Sequence, residues 1–225
     1  MNKKNTPQTR HRHYTVSGKT SNQISYIQTI LNNEITICIG PAGTGKTFIA
    51  TALAIIGLIK NEYDKIVITR PLVQSGEDIG TLPGDIGDKL QPYLQPIYDE
   101  LLYYVKPQEI KKFIENGQIE IVPVGLMRGR NFHNCFVICD EMQNCTEKQL
   151  KLVLTRLGKK SKMIFTGDFT QSDLPTRDQG ALKKYSEILV DISSVGICCL
   201  DYSDIVRNDT VAKILKKIED HNKSS

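Results

Sequence analysis

A glycine-rich stretch of eight residues constrains this chain more than any other feature of its sequence. Residues 40–47 read GPAGTGKT and satisfy the pattern GxxxxGK[ST]. An apolar run at 35–39 precedes the stretch and another at 48–59 follows it, so the pattern lies between a predicted strand and a predicted helix. This context makes the pattern specific, and it predicts a loop whose backbone N–H groups hold the phosphates of a nucleotide.

Each residue type in such a loop has a chemical role. Lys46 is expected to reach the β and γ phosphates, and Thr47 to place its hydroxyl on a magnesium ion. ATP and Mg²⁺ are therefore the expected ligand and metal. The predicted nucleotide-binding residues are Gly40, Pro41, Ala42, Gly43, Thr44, Gly45, Lys46 and Thr47.

Two acidic residues follow a fully apolar run, FVIC, at 136–139. An acid at the carboxyl end of a neighbouring parallel strand lies at the edge of the sheet where ligands bind. Asp140 is therefore expected to hold the magnesium ion, and Glu141 to orient or deprotonate the attacking water. The alternative is a pair of surface acids that cap the next helix.

Two glutamines are further candidates. Gln171 follows Thr166-Gly167-Asp168 at another strand end, where a polar side chain can sense the γ phosphate; the alternative is a turn in which Asp168 caps backbone groups. Gln23 precedes the first strand, and its amide can donate to and accept from an adenine edge. An exposed helix glutamine is the alternative for Gln23.

Strand and helix patterns alternate along the chain and predict an α/β fold with a mainly parallel central sheet flanked by helices. Ser21 is expected to cap the first helix, and Thr146 with Gln149 to form a capping box. Residues 71–92 are rich in Gly, Pro and Asp and predict a long loop. The predicted strands cover residues 35–39, 65–69, 119–123, 136–139, 162–166 and 195–200.

The net charge of +4 is unevenly distributed. Residues 1–20 carry five basic residues and no acidic one, which predicts a solvated, flexible tail or an arm that touches phosphate backbones. Residues 21–220 are expected to form a single domain, and residues 221–225 a frayed end.

Cysteine usage and hydropathy favour a cytoplasmic protein. The six cysteines form no CxxC pair, and they are expected to be buried free thiols in a reducing compartment. No apolar segment follows the basic start as in a secretory signal, and the apolar run at 48–59 is too short to span a bilayer. No membrane association is expected.

Ten short segments follow one another along the chain. They are NQ at 22–23, GPAGTGKT at 40–47, TRP at 69–71, GEDIGTLPGD at 76–85, DKLQPY at 88–93, MRGR at 127–130, VICDEMQN at 137–144, LTRLG at 154–158, TGDFTQSDL at 166–174 and DIVR at 204–207. LPGD, MRGR and DEMQN in this order are much more specific than the phosphate loop. With these motifs in order, the chain resembles the PhoH family, relatives of superfamily one helicases that have a single motor core. The resemblance covers roughly residues 20–210.

The resemblance implies a RecA-like P-loop NTPase core, ATP binding and hydrolysis, homo-oligomeric rings that are expected to be hexameric, and a link to single-stranded RNA or DNA. It assigns Gln23 to adenine, Asp140 and Glu141 to metal and water, Gln171 to the γ phosphate, and Arg207 to transition-state charge.

An arginine that stabilises the charge on the transferred phosphoryl group is also expected on physical grounds. In a chain with a single motor domain, this arginine often comes from a neighbouring subunit. Arg207 and Arg156 are the two candidates, and an ordinary surface salt bridge is the alternative for each.

The nucleic-acid contacts are predicted less narrowly. Arg70, Arg128 and Arg130 lie beside strand ends or in glycine-bearing loops, where they can hold a phosphate backbone or remain solvated. The segment 71–92 is interpreted as a lid, a subunit contact or a nucleic-acid channel. No acidic cluster beyond the ATP site suggests a nuclease, so RNase activity is not predicted.

Three hypotheses of function follow. The first is a ring-forming ATPase that moves along or remodels RNA or DNA, and the second is a nucleotide-switched binding module with little or no turnover. The third, a small-molecule kinase, is the weakest, because no arginine-rich lid is present. Glu141 favours the first over the second, since a binding switch needs no acid that activates water.

Overall fold

The computed structural model describes residues 15–71 and 95–206, together with residues 210, 214 and 217. Several predicted features lie outside the described residues. They are residues 1–14 of the basic tail, the GEDIGTLPGD and DKLQPY segments, Arg207 and the end at 221–225.

Six parallel strands form one sheet in the order β3-β2-β4-β5-β1-β6. The strands are β1 (Ile35–Ile39), β2 (Lys65–Thr69), β3 (Ile119–Ile121), β4 (Cys135–Cys139), β5 (Lys162–Gly167) and β6 (Val195–Cys199). The helices are α1 (Ser21–Asn32), α2 (Lys46–Ile59), α3 (described at 95–101), α4 (Pro107–Glu115), α5 (Glu147–Leu154) and α6 (Ala181–Leu189). The predicted α/β architecture with a parallel sheet is confirmed.

The alternation of strand side chains divides the core between the two faces of the sheet. In β4, Phe136 and Ile138 belong to one apolar cluster, while Val137 and Cys139 belong to the other. Helices α1 to α4 contribute to the first cluster, and α5 and α6 to the second. A sheet covered on both faces explains why its strands read as continuous apolar runs.

Three local expectations need comment, and two of them need correction. The side chain of Thr20, and not of Ser21, caps α1 by accepting a hydrogen bond from the Gln23 N–H at 3.1 Å. Cys199 is exposed, although it was expected to be buried with the other thiols, because it ends β6 at the edge of the sheet. In contrast, the capping box of Thr146 and Gln149 is confirmed.

The position of β4 also differs from the expectation that it neighbours the strand before the glycine-rich loop. Strand β5 lies between β1 and β4 and pairs with both. The residues after β1, β5 and β4 therefore meet at one carboxyl edge of the sheet, with the turn after β5 in the middle.

Among the described residues, no helix is long and apolar enough to cross a membrane.

An ion-pair cluster lies at β3, the edge strand at the end of the sheet opposite β6. Glu120 in β3 accepts from Arg130 Nη1 at 2.6 Å and Nη2 at 2.9 Å, and it also accepts from Lys65 Nζ at 3.0 Å. The bidentate hydrogen bond from Arg130 is the main cause that lowers the pKa of Glu120 from 4.5 to about 2.

This cluster predicts an acid-sensitive contribution to stability. A carboxyl whose pKa is lowered by folding stabilises the protein above its unfolded pKa, and that contribution is lost as the pH falls through the folded pKa. The free energy of unfolding should therefore fall more steeply between pH 4.5 and about 2 in the natural chain than in Glu120→Gln. Urea unfolding at a series of pH values measures this, and parallel curves for the two proteins would contradict it.

Candidate nucleotide-binding and hydrolysis site

The glycine-rich loop follows β1 directly and leads into α2. Gly43 and Gly45 have φ values of 83° and 89°, in the left-handed region that glycine adopts at little cost. Helix α2 begins at Lys46 without a side-chain cap. The N–H groups of its first turn are therefore donors that a phosphate can use, and the positive end of the helix dipole adds to the attraction.

Close packing fixes the start of the loop. A Cβ atom added to Gly40 would lie 2.5 Å from the carbonyl oxygen of Leu200, so only glycine fits between β1 and the chain that leaves β6. Gly40 N–H donates to the Gly167 carbonyl at 3.1 Å. The loop is thus joined to the ends of both strands that neighbour β1.

Lys46 lies over the loop that it belongs to. Its Nζ donates to the carbonyl oxygens of Gly40 at 2.6 Å and Pro41 at 2.8 Å. The Lys46 carbonyl accepts from the hydroxyl of buried Tyr26 at 3.2 Å, which ties the first turn of α2 to α1. The Lys46 ammonium therefore lies at two carbonyl groups of the loop, and the hydrogen bond from Tyr26 holds the Lys46 main chain in place.

Asp140 joins three parts of the carboxyl edge. Its Oδ1 accepts from Thr47 Oγ1 at 2.7 Å and from Thr166 Oγ1 at 2.6 Å, and Asp140 is only 4% exposed. The structure thus brings together the predicted metal residues Thr47 and Asp140. Thr166 was not predicted as a partner of Asp140, although its position at the end of β5 was the available signal.

The donor set fits magnesium, a hard cation that takes oxygen ligands and usually needs only one or two carboxylates beside phosphate oxygens and water. A carboxylate and a hydroxyl oxygen lie together at Asp140 and Thr47. Thr69, whose carbonyl accepts from the Asp140 N–H at 2.9 Å, has a buried Oγ1 with no hydrogen-bond partner among the described residues. The described residues hold no cluster of three or more His, Cys, Asp or Glu suited to a metal, so a protein-only metal cage is not formed there.

Glu141 has an unusual backbone for its residue type. Its φ of 55° and ψ of 40° are left-handed, and such a conformation costs of order 1–3 kcal/mol in a residue other than glycine. Glu141 Oε2 accepts from Gln143 Nε2 at 2.5 Å, and Oε1 lies 3.9 Å from Arg70 Nη2. The turn directs the carboxylate away from the path of β4 and leaves its side chain 40% exposed.

The residues that follow Glu141 fasten the β4 turn to the β5 turn. Gln143 Oε1 accepts from the Asp168 N–H at 3.1 Å, and the Asn144 side chain makes two hydrogen bonds with Asp173, at 2.8 and 3.1 Å. Both Gln143 and Asn144 are nearly buried. Sequence reasoning assigned no role to either residue, because the partners that join them to the β5 turn are more than twenty positions away.

Gln171 lies in the β5 turn, as predicted, and it is exposed. Its N–H donates to the Asp168 carbonyl at 3.3 Å. Asp168 is nearly buried, and its Oδ1 accepts from the backbone and hydroxyl of Thr170, at 2.9 and 2.7 Å. Its Oδ2 has no partner among the described residues. The role of Gln171 at the γ phosphate stays a prediction.

Gln23 is buried under the glycine-rich loop. Its Nε2 donates to the carbonyls of Thr44 at 3.0 Å and Asp204 at 3.2 Å, and its Oε1 accepts from the Lys19 N–H at 2.8 Å. The amide therefore joins the glycine-rich loop at Thr44 to the segment that contains Asp204. An adenine contact, which stays a prediction, requires that these hydrogen bonds be exchanged.

Asp204 connects the DIVR segment to the same support. The residue is fully buried, its carboxylate accepts from the hydroxyl of Thr20, and Oδ2 also accepts from Asn22 Nδ2 at 3.0 Å and from the Asp201 N–H at 2.8 Å. These contacts link the start of α1, the glycine-rich loop and the chain that leads to residue 207.

We expect Asp204→Asn to weaken both the fold and nucleotide binding. The amide keeps one acceptor oxygen but loses the negative charge and turns an N–H donor towards one set of the present donors, at a cost of about 1.5–3 kcal/mol in the free energy of unfolding. Urea unfolding and ATP titration measure the two effects. Asp201→Asn is the matched control, since Asp201 is exposed; equal losses in both variants would contradict the prediction.

The predicted arginines occupy different places. Arg156 lies at the amino edge of the sheet, where its Nη1 donates to the Arg130 carbonyl at 3.0 Å, so it stands apart from the glycine-rich loop of its own chain. Arg130 is engaged by Glu120, Arg128 is exposed, and Arg70 lies beside Glu141. Arg207 is outside the described residues.

An all-parallel sheet that carries a GxxxxGK[ST] loop after β1 and a carboxylate after β4 defines a nucleotide-binding P-loop domain with a RecA-like fold. Residues 15–219 match the family model described as PhoH-like protein. The chain belongs to this PhoH-like family, as its motifs suggested.

Curated relatives agree with this assignment. A PhoH-like protein of Synechocystis is 48% identical over 204 residues, covering 91% of this chain and 62% of the relative. A PhoH-like protein of Bacillus subtilis is 43% identical, covering 91% of this chain and 64% of the relative. Protein PhoH of Escherichia coli K12 is 40% identical, covering 83% and 53%. The chain therefore spans between about half and two thirds of these relatives.

Among solved structures, the large terminase of a thermophilic bacteriophage has a similar fold. The TM-score is 0.52 at 12% sequence identity, covering 88% of this chain and 49% of the terminase chain. At this identity the likeness concerns the fold alone.

Proposed function

We propose that this chain is a magnesium-dependent ATP hydrolase whose turnover is coupled to single-stranded RNA or DNA, and which works as a ring-shaped homo-oligomer. The observation that carries the proposal is the shared Oδ1 of Asp140, which accepts from both Thr47 and Thr166 while Glu141 follows directly. A phosphate-loop hydroxyl, a nearly buried carboxylate and a second carboxylate thus lie at one edge of the sheet.

Thr47 and Asp140 would hold the magnesium ion. When bound, Mg²⁺ supplies positive charge that neutralises phosphate oxygens. Thr166 orients the Asp140 carboxylate by donating to the same oxygen as Thr47, so the carboxylate is held in place from the β5 side. Hydroxyl and carboxylate are positioned before any ligand arrives, which lowers the cost of ordering them.

Lys46 and Glu141 carry the remaining chemistry. Lys46 Nζ, together with the N–H groups at the start of α2, binds the phosphates and stabilises the negative charge that develops on them. Glu141 accepts a proton from the attacking water on a carboxylate oxygen, Oε1 or Oε2. The exposed fraction of its side chain, 40%, gives water access to this carboxylate.

A neighbouring subunit is the proposed source of the arginine that stabilises the transferred phosphoryl group. Arg156 supports this view, since its place at the amino edge keeps it away from the glycine-rich loop of its own chain. Arg207 follows a segment that Asp204 connects to Asn22 and Gln23 at the start of α1. A subunit contact at Arg207 would therefore be transmitted through Gln23 to the glycine-rich loop.

Two arginines support the coupling to nucleic acid. Arg70 follows β2 directly and lies beside Glu141 at the carboxyl edge, and Arg128 is exposed in the segment that connects β3 to β4. Cations beside the hydrolysis site are suited to a sugar-phosphate backbone, and contacts of this kind give affinity without sequence preference.

One observation favours a second candidate, a nucleotide-controlled binding module that turns over slowly. Glu141 is held by Gln143 Nε2 at 2.5 Å and faces Arg70 at 3.9 Å, so its carboxylate is engaged by protein groups. A base that is engaged in this way is less available to water until its partners move.

Steady-state ATP hydrolysis by the purified chain, with and without single-stranded RNA and DNA, tests both candidates. Turnover that requires Mg²⁺ and rises with one nucleic acid supports the hydrolase and names its polymer. Tight ATP binding without turnover under every condition would reject the hydrolase and favour the binding module. Light scattering at the same protein concentration tests the ring, which a monomer with full activity would exclude.

A further inference from the structure

A small pocket opens beside the hydrolysis site, between the β5 turn and the start of α6. Its volume is about 220 Å³. The pocket is lined by Gln143, Phe169, Ser172, Gln179, Gly180, Leu182 and Lys183. None of the functions assigned above uses this pocket.

The lining combines an aromatic ring, amides and a cation. Phe169 is 38% exposed, and Lys183 is also exposed. None of the described residues that line the pocket carries a carboxylate. A ring on which a flat group can stack, amides that can donate and accept, and a cation for a phosphate together suit a nucleotide base with its backbone.

The size of the pocket limits the ligand. Sites for drug-sized ligands usually enclose about 300–1,000 Å³, so a pocket of about 220 Å³ accepts a smaller group, such as one base. A folded protein element would need a broader surface than this cavity offers.

One lining residue is also bonded to the hydrolysis site. Gln143 donates to Glu141 Oε2 at 2.5 Å and accepts from the Asp168 N–H at 3.1 Å, and its carbonyl accepts from Ser172 Oγ at 3.3 Å. Because Gln143 and Ser172 both line the pocket, a ligand there touches the side chain that holds the Glu141 carboxylate.

We propose that this pocket binds one base of a single-stranded nucleic acid, stacked on Phe169, and that Gln143 transmits its occupancy to Glu141. The inference rests on the proposed coupling of ATP hydrolysis to nucleic acid. It adds a specific contact site and a physical route. A base that draws the Gln143 amide towards itself weakens its hydrogen bond to Glu141 and frees the carboxylate for water.

The stacking step is tested with oligonucleotides of equal length that carry normal or abasic sugars, measured by fluorescence anisotropy at one fixed salt concentration. We expect the natural chain to prefer the normal oligonucleotide by about tenfold, since a base stacked on an aromatic side chain contributes on that order. Phe169→Ala should lose this preference, and Phe169→Trp should restore it. Ile188→Ala, which removes an exposed apolar side chain of α6 that does not line the pocket, should keep it.

The transmission step is tested with Gln143→Met, which keeps the side-chain length but removes the amide. We expect it to bind the oligonucleotide while the ratio of ATP turnover with and without oligonucleotide falls towards one. A merely structural role would lower both rates by the same factor and leave the ratio intact. If Gln143→Met does not fold, Ser172→Ala, which removes the bond to the Gln143 carbonyl, should lower the same ratio.

The outcomes separate this inference from the proposed function. If oligonucleotides bind and stimulate hydrolysis but Phe169→Ala keeps the preference for bases, the pocket is not the site and the coupling stands. If Phe169→Ala instead changes the oligomeric state in light scattering, the pocket is a subunit contact and the inference is rejected. If no oligonucleotide binds the natural chain, the proposed coupling itself fails.

Discussion

Lys46→Ala should reduce ATP turnover by at least about 10²–10³-fold, because a preorganised donor aimed at developing charge contributes this much to a transition state. The lysine is the only side-chain cation in the loop at 40–47, and its Nζ already lies at the loop carbonyls of Gly40 and Pro41. The same charge stabilises bound phosphates, so ATP affinity should also fall. Steady-state hydrolysis and ATP titration measure the two effects.

Lys60→Ala is the matched control, since this lysine caps the carboxyl end of the same helix and is exposed. It should retain turnover and affinity. Unchanged hydrolysis in Lys46→Ala would show that the measured activity belongs to another site or to a contaminant, and it would remove the main chemical support for the proposed function.

Glu141→Gln should lower kcat by about 10²–10⁴-fold, the usual contribution of a positioned general base, while ATP binding is retained. The amide keeps the size of the side chain but cannot accept the proton of the attacking water. Single-turnover hydrolysis separates this step from product release, and ATP titration reports binding. The variant is therefore expected to hold ATP without cleaving it.

Glu147→Gln provides the comparison. Glu147 lies in the first turn of α5 and its side chain is 55% exposed in an ion pair with Lys184, away from the phosphate loop. It should hydrolyse ATP at the natural rate. If Glu141→Gln did so as well, another group would have to take the proton, and the turn after β4 would have a structural role alone.

Much of the fold could be predicted because its determinants are local. Apolar runs indicated the six strands, and Thr146 with Gln149 marked the start of α5. The place of the glycine-rich loop between β1 and α2 could also be predicted, since its glycine, lysine and threonine spacing lies in one continuous segment.

The rest depends on contacts between distant segments. Strand order is not encoded in any single strand, so the position of β5 between β1 and β4 could not be read from the apolar runs. Thr166 reaches Asp140 only because β5 takes this position. The sequence around Arg130 suggested a contact to a phosphate backbone, but its guanidinium binds Glu120 in β3.

The buried support of the loop shows the same limit. Asp204 follows the glycine-rich loop by about 160 positions, yet Gln23 joins the two through a pair of carbonyl oxygens. The local sequence around Gln23 indicates only a helix start. A buried side chain that satisfies backbone groups from two remote loops is recognised from the packed structure and not from spacing.

The exposed end of β6 offers a natural attachment point for a reporter dye. Burial raises the pKa of the other five thiols, that of Cys145 to about 12, so they react slowly with maleimides at neutral pH; they are Cys38, Cys135, Cys139, Cys145 and Cys198. Cys199 is exposed and pairs in register with Ile39, the residue just before the phosphate loop. A fluorophore coupled there would follow nucleotide arrival and departure in real time, in the natural sequence and without removal of any cysteine.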